Sequence, residues 1–250
     1  MAARHAIPAR PSSVTVWRGP SMINGEPIRV VVTGITRPSQ NRKTGAMAQV
    51  WILTDDTSPV AALQSGADQA ICGSCPLAGT VGEDGRRQGR ACYVNVGQAP
   101  QSAWRGQGTD PTVVDPATVG EWLAGKPVRL GAYGDPAAAP FEVMAALVRH
   151  ASKWTGYTHQ WATCDQRFRE LIMASADSVE LADKAHANGW RTFRVSADGE
   201  RVGREITCPS ERGRSCADCG ACDGTRYGTK IGRVSIVIAA HGSGSKYVTS

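Results

Sequence analysis

The chain has no run of about 18 apolar residues, so no membrane-crossing helix is expected. Met1 is followed by Ala-Ala-Arg-His and a polar stretch instead of the apolar segment of a secretory signal, which points to a reducing cytoplasm. Internal repeats and long low-complexity tracts are also lacking. Dense clusters of one charge are missing too, although the formal net charge is +6 and the isoelectric point is near 9.0. A scattered positive charge carries little information about nucleic acid, and no motif here reads bases. The nearest thing to a basic patch is Arg37–Gly45, either a solvated hairpin tip or a phosphate-binding loop.

What is present suits a globular domain. The chain has 250 residues and is 41% hydrophobic, enough for one domain of barrel size, or one plus a small appendage. Its 28 glycines and 14 prolines imply many turns. Residues 13–54 read as strands: Ser13–Trp17, Ile28–Ile35 and Ala48–Thr54 are rich in Val, Ile and Trp. Beyond them strands and helices alternate. Helices are expected at Ser58–Ser65, Pro116–Ala124, Pro140–Lys153, Asp165–Glu170 and Ser178–Asn188. Strands are expected at Val128–Ala132, Gly156–Gln160, Leu171–Ser175, Trp190–Val195 and Val234–Ala240, with a glycine-rich loop over Cys72–Cys92. Repeated strand–helix units imply a parallel sheet with helices outside. The expected fold is therefore α/β, a complete or partial TIM-like (β/α) barrel with a small N-terminal β region. The divisions are 1–56, a β region with a flexible tail; 57–241, the barrel-like domain with a cysteine-rich loop at 208–222; and 242–250, a tail.

Seven of the eight cysteines fall into two groups. The first is Cys72, Cys75 and Cys92; the second is Cys208, Cys216, Cys219 and Cys222. A reducing compartment makes such spacings metal or redox sites before it makes them disulfides. Three cysteines two residues apart, with a fourth beside a proline, suit an iron–sulfur cube. Zinc is the alternative, as a ribbon-like site of Cys72, Cys75, Cys219 and Cys222 or as a structural four-thiolate site over 208–222. Three thiolates in one group and four in the other suggest one centre with an open position and one that is closed. Cys164 fits neither group and reads as a small buried hydrophobe.

Chemistry in (β/α) barrels sits at the C-terminal ends of strands, and three strand ends here are unusually polar. Val128–Pro136 ends in Gly134-Asp135-Pro136, Gly156–Trp161 carries Tyr157 and His159, and Leu171–Ser178 contains Asp177. Each has a bland reading. Asp135 before Pro136 is either a site carboxylate or a helix cap, and Asp177 either functions or caps the helix after Ser178. His159 is either catalytic or a satisfied core histidine. Arg129, inside an apolar strand, either meets an anion or faces polar groups or solvent. His241-Gly242 closes the last strand or begins the tail.

The order of these elements resembles the radical S-adenosylmethionine (SAM) enzymes. There, three cysteines after the first barrel strand bind a [4Fe-4S] cluster, a Gly-Gly-Glu-Pro-like motif on the second strand holds the methionine amino group, and a Ser-x-Asp-like end follows on the fourth. Gly134-Asp135-Pro136 looks like a shortened second motif, and the four later cysteines match the auxiliary-cluster sets of many members. The Cys-x2-Cys, Cys-Tyr, Arg-Leu-Gly-x-x-Gly-Asp-Pro, Thr-Gly-Tyr-Thr and Cys-Pro…Cys-x2-Cys-x2-Cys elements also resemble a group of uncharacterised phage-encoded proteins over residues 28–241. The loop departs from the family's Cys-x3-Cys-x2-Cys pattern, being Cys72-x2-Cys75-x16-Cys92. The resemblance implies one or two [4Fe-4S] clusters, SAM bound at Gly134, Asp135 and Pro136, and catalytic roles for Arg129, Tyr157, His159 and Asp177. It further implies an electron donor, a nucleotide, nucleic-acid or peptide substrate, and the cytoplasm of an infected host cell. The alternative is a zinc-stabilised, non-enzymatic phage protein that binds nucleic acid through its basic surface.

Overall fold

A computed structural model describes residues 10–85, 87–225, 234–242 and 244–248. Parts of both expected tails, residues 1–9 and 249–250, lie outside the described residues.

The N-terminal strands form as their β-branched content requires. Strand β1 (Ser13–Pro20) pairs antiparallel with β2 (Pro27–Thr33), and β2 with β3 (Ala48–Thr54). Beyond β3 the pairing in the two five-stranded sheets is parallel. Helices α1 (Pro59–Ser65) and α2 (Gln69–Cys72) follow β3, then a short hairpin of β4 (Thr80–Val81) and β5 (Arg87–Gln88). After α3 (Ala99–Arg105) and α4 (Pro116–Trp122), strand β6 (Pro127–Tyr133) lies beside β3, and α5 (Phe141–Val148) leads to β7 (Lys153–Thr155) beside β6. The order of this first sheet is β1-β2-β3-β6-β7.

The second sheet is wholly parallel. Strand β8 (Tyr157–Thr158) pairs with β9 (Met173–Ala176), and α6 (Val179–Ala187) leads to β10 (Thr192–Ser196). Then come β11 (Ile206–Thr207), α7 (Cys216–Cys219) and β12 (Ile236–Ala239), in the order β11-β12-β10-β9-β8. The two sheets meet at one segment, residues 153–158, whose first half pairs with β6 and whose second half pairs with β9. Gly156 is the joint. A Cβ there would lie 2.4 Å from Ile172 Cγ2 and 3.1 Å from Leu130 Cβ, so only glycine lets the segment pass between the sheets.

The expected α/β class is present, with helices between sequential parallel strands. The described residues form two joined sheets, and no closed barrel is found among them. Strands β2 and β3 are buried along nearly their whole length, as strands covered on both faces should be. Helix α5 packs Val143, Met144, Leu147 and Val148 inward. It ends five residues before the expected Lys153, because Lys153 is needed as the first residue of β7, paired with Pro127. The strand expected over Gly156–Gln160 shortens to Tyr157–Thr158, since the Thr158 hydroxyl accepts the Gln160 N–H at 2.9 Å and turns the chain. Among the described residues no helix is long and apolar enough to cross a membrane.

Candidate functional site

The three-cysteine loop is built where β3 ends. Ser58 caps α1, and the single turn of α2 presents Cys72. The Cys75 N–H donates to the Cys72 carbonyl at 3.2 Å. The sixteen residues between Cys75 and Cys92 fold out as the β4–β5 hairpin, and the Leu77 carbonyl accepts the N–H groups of Ala91 (3.1 Å) and Cys92 (2.8 Å) at its base. Arg87 fastens the loop: it pairs with buried Asp68 and donates to the carbonyls of Leu63 and Ala78 at 2.9 Å each. Despite the unusual spacing, all three cysteines line one cavity.

Around these thiols stand three of the expected strand ends. The Asp135 N–H donates to the Ile71 carbonyl at 2.6 Å, tying the end of β6 to the turn that carries Cys72. The Asp135 carboxylate is buried, and each oxygen accepts a backbone N–H at 2.9 Å, Oδ1 from Ala137 and Oδ2 from His159. It is therefore a cap and also the link between the ends of β6 and β8. Burial pushes its pKa up, against these hydrogen bonds and the neighbouring His159. Gly134 has a φ of +80°, and a Cβ there would meet the Ile52 carbonyl oxygen at 2.5 Å, so the motif needs glycine to turn tightly over β3.

His159 is no core histidine satisfied by carbonyls: its Nε2 lies 3.3 Å from Asp177 Oδ1 and 3.9 Å from Cys75 Sγ. Burial opposes its charge, but Asp177 and Cys75 outweigh burial and hold its pKa well above the usual value. Asp177 does not cap α6, because Ser178 does, accepting the Leu181 N–H at 3.2 Å. Both contacts of His159 fall on one ring nitrogen. A Cys–His–Asp nucleophile needs the sulfur and the carboxylate on opposite nitrogens, so this trio is not such a relay.

The four-cysteine segment packs where β3 and β7 begin. The Cys216 and Ala217 N–H groups donate to the carbonyls of Lys43 (2.9 Å) and Thr44 (3.0 Å), so Arg37–Gly45 is a seat for α7 as well as an exposed loop. Lys153 Nζ donates to the Asp218 carbonyl at 2.8 Å, and the Gly156 N–H to the Cys222 carbonyl at 3.1 Å. Buried Arg191 donates to the Ala221 carbonyl (2.7 Å), the Gly224 carbonyl (2.6 Å) and Asp223 Oδ1 (3.0 Å). Tyr157, tilted against Phe193 with ring centroids 4.3 Å apart, shares a hydrogen bond with Cys222. Cys164 stands apart from both groups, partly buried against the core, with its thiol pushed up to about 12 by burial.

A single cavity of about 430 Å³ joins the two groups, lined by Cys72, Cys75 and Cys92 and also by Cys208 and Cys216. Asp135, His159, Tyr157 and Arg129 face it as well, whereas Asp177 reaches it only through His159. His241 stacks on Tyr93 at its wall, with centroids 5.4 Å apart. Burial pushes the Cys72 thiol well up, and Cys75, Asp68, Cys92 and Asp135 push it further. Cys222 rises by burial and by its three sister thiols, against the Tyr157 hydrogen bond. Burial therefore favours the neutral thiol at Cys72 and Cys222, and a thiol that binds a cation must first give up its proton.

Two buried hydroxyls lack any hydrogen-bond partner among the described residues, Tyr133 Oη and Thr44 Oγ1, and both residues line this cavity. An unsatisfied buried hydroxyl is costly, so a partner at either one would stabilise the fold. Tyr133 lies beside the three-cysteine group, whose thiols and Asp68 bear on its phenol. Neither residue stands out in the sequence, although Tyr133 directly precedes Gly134-Asp135-Pro136. The chemistry of the donor set fits a thiolate-bound metal group at each end. Among the described residues no set of three or more His, Cys, Asp or Glu is disposed to hold a single metal ion. One zinc would draw its thiolates to roughly 3.8 Å of each other, given Zn–S bonds of about 2.3 Å. Comparison with family models, curated proteins and solved structures finds no match to this chain.

Proposed function

We propose that the chain is an iron–sulfur protein of the radical SAM type, with its parallel strands from β3 to β12 curved as a partial barrel. The observation that carries this reading is the convergence of Cys72, Cys75 and Cys92 with Asp135 and His159 on one cavity, at the ends of successive parallel strands. Cys72, Cys75 and Cys92 would hold a cube with one open corner, and Cys208, Cys216, Cys219 and Cys222 a closed centre. Bound there, cluster and SAM would supply one-electron chemistry able to take hydrogen from unactivated carbon.

The chain's own groups have definite tasks in this reading. The Asp135 carboxylate, bonded by the Ala137 and His159 N–H groups and by the Thr158 hydroxyl, keeps lone-pair capacity for one further donor such as an ammonium. Tyr133 offers a hydroxyl without a partner to whatever the three cysteines hold. His159, fixed by Asp177 and by its N–H bond to Asp135, stands against Cys75 with Nε2 3.9 Å from Sγ. A second reading, zinc in the four-cysteine segment as a structural centre, is favoured by the compactness of residues 208–222 and by their backbone anchoring.

Metal and sulfide analysis of anaerobically purified protein tests both. Replacing Cys72, Cys75 and Cys92 together by serine should remove about half of the iron and sulfide and abolish release of 5′-deoxyadenosine from SAM by the reduced protein. Replacing Cys216, Cys219 and Cys222 should remove the other half. A colourless protein loaded with zinc alone overturns the iron–sulfur reading, and a full cluster that never cleaves SAM overturns the radical one.

A further inference from the structure

The fully buried arginines follow one rule. Arg29 Nε lies 2.6 Å from Asp55 Oδ1, Arg191 Nη1 lies 3.0 Å from Asp223 Oδ1, and Arg194 Nη2 lies 2.7 Å from Glu205 Oε2. A guanidinium removed from bulk water needs an anion, and each of these has one. Arg129 breaks the rule. It projects from β6 into the cavity wall, half-buried, and donates to the Tyr93 hydroxyl. No carboxylate pairs with it among the described residues. Its charged or titratable neighbours are Tyr93, Tyr157 and Cys216. The phenol of Tyr157 is driven further toward its neutral form by burial.

Two more features stand at the same wall. Lys43 lines the cavity and bears on Cys216, as Arg129 does. Beside it, the buried Thr44 hydroxyl has no partner. A fork of N–H donors, an ammonium and a free hydroxyl form a set that an oxyanion satisfies and a neutral group does not. The rest of the wall includes the flat rings of Tyr93, His241, Tyr157 and Phe193. A cavity of about 430 Å³ is the size of a small-molecule site.

We infer that this wall is an anion subsite, with Arg129 as its anchor and Lys43 and Thr44 beside it, for the carboxylate or phosphate group of a small substrate with a flat body. This rests on the reading that the cavity is where the substrate is held. It does not depend on which metal the cysteines bind. The competing role for Arg129 is counter-ion to the four-cysteine centre through Cys216.

Equilibrium binding of benzoate, phenyl phosphate and neutral benzyl alcohol to the purified, metal-analysed protein decides the matter. At least one anion should bind tenfold or more tightly than benzyl alcohol, and the better of the two tells carboxylate from phosphate. Arg129→Gln should reduce that preference about tenfold, with Lys43→Gln causing a smaller loss and Arg129→Lys keeping part of it. If Arg129→Gln does not fold, a loss of threefold or more in Lys43→Gln upholds the subsite and an unchanged preference overturns it. Equal binding of charged and neutral probes by the parent protein overturns the proposal, as does an undiminished preference in Arg129→Gln. Loss of metal from Arg129→Gln in step with the four-cysteine replacement also overturns it, by making Arg129 the counter-ion. Metal content and SAM cleavage are measured on the parent protein separately, so failure of the iron–sulfur reading is seen independently of the anion preference.

Discussion

The loop over residues 72–92 and the segment over residues 208–222 both gather thiols, and they are held in different ways. In the loop, side chains do much of the fastening: Arg87 with Asp68, and Gln160, whose Nε2 donates to the Cys72 carbonyl at 3.3 Å. Beside its thiols lie Asp135, His159 and the unpartnered Tyr133 hydroxyl. In the segment, backbone bonds to Lys43, Thr44 and Gly156 and the clamp of Arg191 hold the chain. Cys208, Cys219 and Cys222 pack with Met173, Ala221 and Ile236. Groups able to bind and orient a ligand stand around the first set, whereas the second is largely held by packing, with Cys216 turned to the cavity wall. An open site and a structural staple would differ in the same way.

The comparison can be broken most severely at Arg191. Arg191→Met leaves Asp223 and the Ala221 and Gly224 carbonyls without their donor, and should destabilise the fold by about 3–5 kcal/mol. Alkylation read by mass spectrometry should then find Cys216, Cys219 and Cys222 newly reactive while Cys72, Cys75 and Cys92 change little. Equal exposure of both groups would mean that they do not stand or fall separately.

A smaller effect is expected at the joint between the sheets. Gly156→Ala presses a methyl group onto Ile172 and Leu130, an overpacking cost of about 1–3 kcal/mol. A chain of this size should lose roughly 2–4 °C of melting temperature per kcal/mol. An unchanged melting curve would show that the seam has room the packing does not reveal.

The smallest effect is one of pH, in the second sheet. Burial pushes the Glu205 carboxyl up, but hydrogen bonds from Arg194 and the Val202 N–H, with the charges of Arg194 and His186, outweigh it and leave the pKa below its ordinary 4.5. A carboxyl lowered on folding adds stability that is fully present above the unfolded value and is lost as pH falls through the folded one. Melting temperature should therefore decline below about pH 4.5, and Glu205→Gln should flatten part of that decline. Identical slopes in the two proteins would remove Glu205 from the account.

Much of the fold was legible because it is local. Hydrophobic period and caps marked β1, β2, β3, α4 and α6, and Ser178 caps the helix as its position implied. Helix α3 was missed, since Ala99-Pro100 opens it without a polar cap. The strand ends carrying Asp135, His159 and Asp177 were visible as polar residues after apolar runs. What they touch was not: that Asp177 meets His159, or that Arg29 rather than Arg129 is the arginine paired deep in a strand, depends on partners far away in sequence. The shared cavity was invisible for the same reason, since it is a relation between residues 43–44, 72–92 and 208–216.

The hairpin between Cys75 and Cys92 bears on how relatives of this chain can be found. Its base is closed by the Leu77 carbonyl, which accepts from both Ala91 and Cys92, so the third thiol is placed from the root of the excursion and not from its tip. Residues at the tip can lengthen, shorten or change at little entropic cost, because loop closure varies only slowly with length. Lineages that carry the same trio of cysteines are then free to differ in the number of residues between them. A fixed-gap pattern would pass such kin by, and a pattern anchored on the root would collect them.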